Sequence, residues 1–183
     1  MNLLYNYNME KVIILTSAIP RPNLHKESIV SFYNNILMNN EYKNYEIIHI
    51  INIDTPKKIT DLGFDSIDTI NNFNLIIPDF IKKIYINDGE ASFTKAYIKL
   101  FLKAEEFINN NNCYIIWLED DWIFKKNYSI IKLINIIKDY KLSTFNLRTH
   151  FYSNNPTIYS KEIYVKYITL IKKEKEYFIK SNT

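Results

Sequence analysis

The sequence predicts an α/β protein, a mostly parallel sheet with helices on both faces. Residues 12–16, 45–53 and 114–118 are predominantly apolar runs, unbroken in 114–118. They have the length of strands buried on both faces and are too short for independent helices. Between the runs lie stretches with helical spacing, clearest in Phe93, Tyr97, Leu100, Phe101, Ala104, Phe107 and Ile108. The runs also end in polar or acidic residues, at Thr16-Ser17, Asp54 and Glu119-Asp120-Asp121. In open α/β sheets the ligand crevice lies at the carboxyl ends of the strands.

Taken in order, Val12-Ile-Ile-Leu-Thr16 is the first strand, and the prolines of Ser17-Ala-Ile-Pro-Arg-Pro22 build a stiff loop after it. Ile29, Phe32, Tyr33, Ile36 and Leu37 recur at helical spacing and predict a helix over residues 26–38, ended by Asn39-Asn40. The second strand, 45–53, stops at Asp54. Strand, helix and strand form a right-handed βαβ unit with its loops on one edge. Pro56, Gly63 and Pro78 punctuate the next stretch, where Ile67, Ile70 and Phe73 indicate a short helix. Lys83-Ile-Tyr-Ile86 is the third strand and leads to a turn at Asn87-Asp-Gly-Glu90.

Ser92 caps the amphipathic helix that follows, whose apolar stripe from Phe93 onward is core. After the fourth strand, Ile130, Ile131, Ile134 and Ile137 mark another helix. Residues 142–147 alternate as a strand, with Arg148-Thr-His150 at its end. Asn154-Asn-Pro156 is a turn and Ser160 a helix cap. Ile163, Tyr167 and Ile171 carry the last helix into a charged tail over 173–183. There is no repeat and no linker, so a single domain is expected over 1–183.

The chain of 183 residues can bury one real core, and 47% hydrophobic against 23% charged residues argues against overall disorder. A net charge of +3 is too weak for a dedicated nucleic-acid binder. The single cysteine, Cys113, excludes an internal disulfide and fits a reducing compartment; opening a buried strand, it reads as an inert core thiol. No apolar run reaches transmembrane length and residues 1–10 lack a signal-peptide pattern, so no membrane span and a cytoplasmic location are expected. With only Gly63 and Gly89, neither a Walker phosphate loop nor a Gly-x-Gly-x-x-Gly turn can be written. Phosphate, if bound, must be held by a metal and by side chains.

Glu119, Asp120 and Asp121 leave the fourth strand together and are followed by Trp122, Ile123 and Phe124. Three adjacent carboxylates repel one another and desolvate poorly beside aromatic groups. A hard divalent cation, Mg2+ or Mn2+, relieves both costs; the structural alternative is an acidic turn where a strand leaves the core. Alternation along an extended chain points 119 and 121 to one side and 120 to the other. A metal is therefore expected on Asp121, with Glu119 in contact and Asp120 the dispensable middle residue.

This order resembles the GT-A class of nucleotide-sugar glycosyltransferases, in particular its family 2-like members, over approximately residues 11–171. The resemblance rests on the strand ending Thr16-Ser-Ala-Ile-Pro20, the strand ending in Asp54, the segment from Asn87-Asp-Gly89 to Lys95, and Trp117-Leu-Glu-Asp-Asp121. It implies a GT-A (Rossmann-like) fold, a nucleoside-diphosphate sugar donor, a glycan or other hydroxyl acceptor, and a Mn2+ or Mg2+ cofactor. It places Asp54 on the nucleoside base or ribose, with Thr16, Ser17, Lys95, Glu119 and Asp120 in the same nucleotide-sugar-binding site. Lys95 stands where the class more often has Arg. The Asp-x-Asp signature maps onto Glu119-Asp120-Asp121, with Glu replacing the first Asp.

Members of the class usually place a carboxylate base downstream of that signature. Here the resemblance points to Glu162, with His150 and Arg148 facing the same crevice; a helix-start glutamate and a structural histidine are the plainer readings. The implied reaction is hexosyltransferase-like transfer, with the metal stabilising the departing diphosphate. A metal-dependent phosphatase or nuclease would need ligands from several strands, and no second acidic cluster stands out. A receiver domain would carry its acidic pair after the first strand, where Ser17-Ala-Ile-Pro stands. The alternative is a non-catalytic or partial transferase domain serving as a binding or assembly module.

Overall fold

The computed structural model describes residues 9–37, 45–54, 66–87, 92–108, 113–125, 127–142, 144–146 and 157–181. Along the chain these form β1 (Glu10–Ala18), α1 (Pro22–Phe32), β2 (Tyr45–Ile53), α2 (Ser66–Ile76), β3 (Lys82–Asn87) and α3 (Phe93–Glu105). They continue as β4 (Cys113–Glu119), α4 (Ile130–Asp139), β5 (Thr144–Asn146), β6 (Thr157–Ser160) and α5 (Lys161–Ser181). The strands make one sheet in the order β3-β2-β1-β4-β6-β5. The first four in that order are mutually parallel, and β6 runs antiparallel to both β4 and β5. This mixed α/β architecture, four parallel strands flanked by helices, is consistent with a Rossmann-like GT-A fold, as the sequence predicts.

The apolar runs divide between two cores because neighbouring strand residues face opposite ways. Val12 and Ile14 of β1, Ile47 and Ile51 of β2, and Tyr114, Ile116 and Leu118 of β4 pack with Ile29, Phe32, Phe73 and Ile134 of α1, α2 and α4. Ile13, Leu15, Ile48, Ile50, Ile115 and Trp117 pack on the other face with Leu100, Phe101 and Tyr164 of α3 and α5. The side chains of β1 and β4 are therefore covered on both sides, which is why those stretches read as continuous hydrophobic runs.

A buried polar chain crosses the α1 side of the sheet. His49 of β2 is bonded through Nε2 to Thr16 Oγ1 at 2.8 Å and through Nδ1 to Tyr33 Oη at 2.7 Å. Burial pushes the His49 pKa down to about 3, so the ring is neutral and one nitrogen donates while the other accepts. Tyr33 opens a π-helical segment, Tyr33–Leu37, that continues α1.

The elements depart from the sequence reading in four places. Helix α1 starts at Pro22, four residues before the expected 26, because proline at a first helical position sacrifices no hydrogen bond. Strand β6 was not expected: four residues are too short to show alternation, and Ser160, read as a helix cap, belongs to it. Helix α5 runs on to Ser181 through the stretch read as a charged tail. Phe93 opens the apolar stripe of α3 yet is 59% exposed. Arg148, His150 and the Asn154–Pro156 turn lie outside the described residues.

Candidate functional site

The carboxyl ends of β1, β2 and β4 meet on one edge, as their register requires: Ser17 pairs with Glu119 and Ala18 with Ile53. The backbone N–H of Asp54 donates to the Ala18 carbonyl at 2.8 Å, closing the gap between β1 and β2. A cavity of about 370 Å3 opens on this edge. Ser17, Arg21, Asp54, Ser92, Phe93, Glu119, Asp120 and Asp121 line it, together with Ala18 and Ile19. This volume is in the range of small-molecule sites. Asp54 and the Glu119–Asp121 step, 65 or more residues apart in sequence, thus share one crevice.

Asp54 is almost fully buried. Asn52 Nδ2 donates to its Oδ1 at 2.7 Å. Burial raises its carboxyl pKa, while the Asn52 side chain, the Ser92 backbone N–H and the charge of Lys99 pull it down. Ser92 also caps α3, its hydroxyl accepting from the Lys95 N–H at 3.4 Å. One residue therefore ties the β2 carboxylate to the start of α3. Phe93, next in the chain, presents an exposed ring to the crevice and meets Trp117 edge-on at 6.0 Å between centroids.

Glu119 and Asp120 face opposite ways, as alternation requires, and the side that takes Asp120 is the buried one. The chain leaves β4 at Glu119 and turns at 120–121. Asp120 points inward and is buried, accepting from the Ile19 N–H at 3.2 Å, Arg21 Nη2 at 2.7 Å and His25 Nε2 at 3.0 Å. His25 is wholly buried and stacks on Phe73 at 4.7 Å. Asp120 is therefore no spare middle residue: it binds the β1–α1 loop to the end of β4. Glu119 is half-buried, with Trp117 Nε1 donating to its Oε1 at 3.4 Å and Ser28 Oγ donating to its backbone carbonyl at 3.4 Å. Asp121 is exposed and makes no hydrogen bond or ion pair with another described residue.

Three further residues named from the sequence fall elsewhere. Thr16 is buried inside, its hydroxyl spent on His49, so it does not face the crevice. Lys95 is exposed on the first turn of α3 and is not among the described residues lining the cavity. Glu162 lies on the opposite edge of the sheet. It follows Ser160, which pairs with Tyr114 near the amino end of β4, and it lines a separate cavity of about 440 Å3 with Cys113, Lys138 and Lys161. It cannot serve chemistry at Asp121. His150 lies outside the described residues. Burial pushes the Cys113 thiol up to about 12, which makes it the inert core thiol expected.

Arg21, Ser92 and Phe93 line the crevice and His25 lies buried behind it on Asp120, and the sequence reading assigned none of them to it. Arg21 had a signal, a cation fixed between two prolines just after a strand; His25 follows it by one helical turn.

Among the described residues no group of three His, Cys, Asp or Glu side chains is placed to hold a metal ion. Asp120 is already engaged by three donors. Of the carboxylates lining the cavity, the exposed Asp121 would be the one to hold a cation of the Mg2+ or Mn2+ type, with Glu119, itself bonded to Trp117, beside it. Such a cation takes one or two carboxylates together with substrate phosphates. Among the described residues no helix is long and apolar enough to cross a membrane.

No protein-family model matches the chain, and no curated protein matches it in sequence. Among solved structures it is similar to the crystal structure of mouse xyloside xylosyltransferase 1 in its apo form. The identity is 12% and the TM-score 0.36, over 73% of this chain and 49% of that one. The chain thus spans about half the length of that solved structure.

Proposed function

We propose that the crevice binds a nucleoside-diphosphate sugar and that the chain transfers the sugar to an acceptor hydroxyl. The observation that supports this best is the single cavity shared by Asp54 and Asp121 at the carboxyl ends of parallel strands. In this reading Asp54 accepts hydrogen bonds from the ribose or base, and Ser17 lies beside it. A divalent cation held by Asp121, with Glu119 beside it, would supply Lewis-acid stabilisation to the departing diphosphate. Asp120 and His25 keep the β1–α1 loop seated against β4, so the groups that meet the donor are fixed before it arrives. The deprotonating group for the acceptor is not Glu162, which faces the other edge.

That displacement of Glu162 favours a second reading, a domain that binds the donor without turning it over. Donor hydrolysis and transfer measured over a Mn2+ titration, for the wild-type chain and Asp121→Asn, test the first reading. Metal-dependent turnover lost in Asp121→Asn supports the enzyme. Donor binding without turnover supports the binding module, and no binding of any nucleotide sugar overturns both.

A further inference from the structure

We infer that Arg21 is the residue of this crevice that grips the diphosphate of the ligand, with Asp120 as its positioning residue; this rests on the donor-binding reading above. Arg21 stands between Pro20 and Pro22, so its backbone is restrained on both sides before any ligand binds. Its side chain is 32% exposed and lines the cavity. One nitrogen, Nη2, is fixed on Asp120 Oδ1 at 2.7 Å, and Nε is buried without a partner among the described residues. A guanidinium carries five N–H donors, so most of its fork is uncommitted.

Charge decides what that fork meets. The cavity is lined by the carboxylates of Asp54, Glu119, Asp120 and Asp121, and Arg21 is the basic residue among its described lining. A nucleoside diphosphate brings further negative charge into a partly desolvated space already rich in carboxylates, which is unfavourable without cations. Asp120 does not depend on Arg21 alone, because the Ile19 N–H and His25 Nε2 also donate to it. Arg21 can therefore turn its free donors to phosphate oxygens while Asp120 holds one side of the fork still. A planar fork matches phosphate oxygens in pairs, which a lysine ammonium does not. Lys95, the basic residue singled out from the sequence, is not among the described lining.

The test is calorimetry on the full chain with UDP, GDP, ADP and CDP, each paired with its nucleoside, in Mn2+ and again in chelator. For whichever diphosphate the wild-type chain binds, Arg21→Ala is expected to weaken binding by roughly 10- to 100-fold, the range for a lost charge-assisted hydrogen bond, and to leave the nucleoside nearly unchanged. The loss should persist in chelator, because it does not pass through a metal. Arg21→Lys should recover only part of it, and Asp120→Asn should lower the diphosphate-to-nucleoside affinity ratio by a smaller factor. Should Arg21→Ala not fold, Arg21→Lys, which keeps a cation on Asp120, carries the same comparison. Full diphosphate affinity in the Arg21 variants, or equal losses for diphosphate and nucleoside, overturns the assignment and leaves donor binding standing. A wild-type chain that binds none of the four diphosphates overturns both.

Discussion

His25 Nε2 donates to Asp120 Oδ2 at 3.0 Å, joining the first turn of α1 to the end of β4 across 95 residues of sequence. Both side chains are buried, so removing Asp120 strips His25 Nε2, Arg21 Nη2 and the Ile19 N–H of their shared acceptor. Asp120→Ala is therefore expected to destabilise the fold by about 3–5 kcal/mol, and Asp120→Asn by less, since an amide oxygen still accepts. Asp121→Asn, at an exposed site with no described partner, should leave stability within about 0.5 kcal/mol of wild type. Equal urea midpoints for Asp120→Ala and Asp121→Asn would refute this ordering.

Phe93 is exposed and borders the same cavity as Asp54. If a nucleobase lies there, the ring stacks on it, a contact worth roughly 1–3 kcal/mol. Phe93→Ala should weaken nucleoside and nucleotide binding alike, by about tenfold or more, with little change in melting temperature. Phe93→Tyr should retain affinity. A loss confined to diphosphates would move the base elsewhere.

Asp54 is expected to give binding an unusual acid limit. Its carboxyl pKa is raised, chiefly by burial, so it loses its charge at a higher pH than an ordinary aspartate as the solution is acidified. Nucleotide affinity should fall as pH drops through that raised value, and Asp54→Asn should flatten the profile. The sign for stability is opposite. The folded state holds the proton to higher pH than the unfolded chain, so this residue's contribution declines as pH rises above the ordinary value of 3.8 and is constant once the carboxyl has ionised. A pH profile of affinity identical in wild type and Asp54→Asn would remove Asp54 from the site.

His49 predicts acid sensitivity of the fold itself. Its pKa falls from 6.5 to about 3 on burial, so below 6.5 the unfolded chain takes up a proton that the native ring refuses. Stability from this group is complete above pH 6.5 and is lost as pH falls toward 3, by at most about 1.4 kcal/mol per pH unit. His49→Gln keeps a donor and an acceptor for Tyr33 and Thr16 without an ionisable ring. Chemical denaturation at pH 7 and pH 5 should show a smaller drop in that variant; an unchanged drop would assign the acid sensitivity to other groups.

Much of this architecture is written in local pattern. Residues 12–16, 45–53 and 114–118 are strands buried on both faces, so they are predominantly apolar and their identity and edge follow directly. Asp54 and the Glu119–Asp121 step could be placed together because strand ends in a parallel sheet share an edge. What failed depends on side-chain direction and on long-range partners. Asp120 faces α1 as Leu118 does, but that Ile19, Arg21 and His25 meet it there is not visible from residues 119–121 alone. Glu162 was chosen for its chemistry, but the antiparallel entry of β6 delivers it to the far edge. A four-residue strand carries too little periodicity to announce that reversal.

The central position of β1 has a consequence for how the chain is made. Its hydrogen-bonding partners are β2 on one side and β4 on the other, and on the β4 side Lys11 pairs with Cys113, roughly a hundred residues later. A ribosome releases β1, β2 and β3 well before β4 exists. During that interval one flank of the Val12–Leu15 run has no neighbour, and such an open apolar edge invites pairing with other chains. Closing it requires a contact of high sequence separation, which is intrinsically slow. The newborn protein is thus most vulnerable to aggregation between the emergence of β2 and the insertion of the strand that carries Glu119.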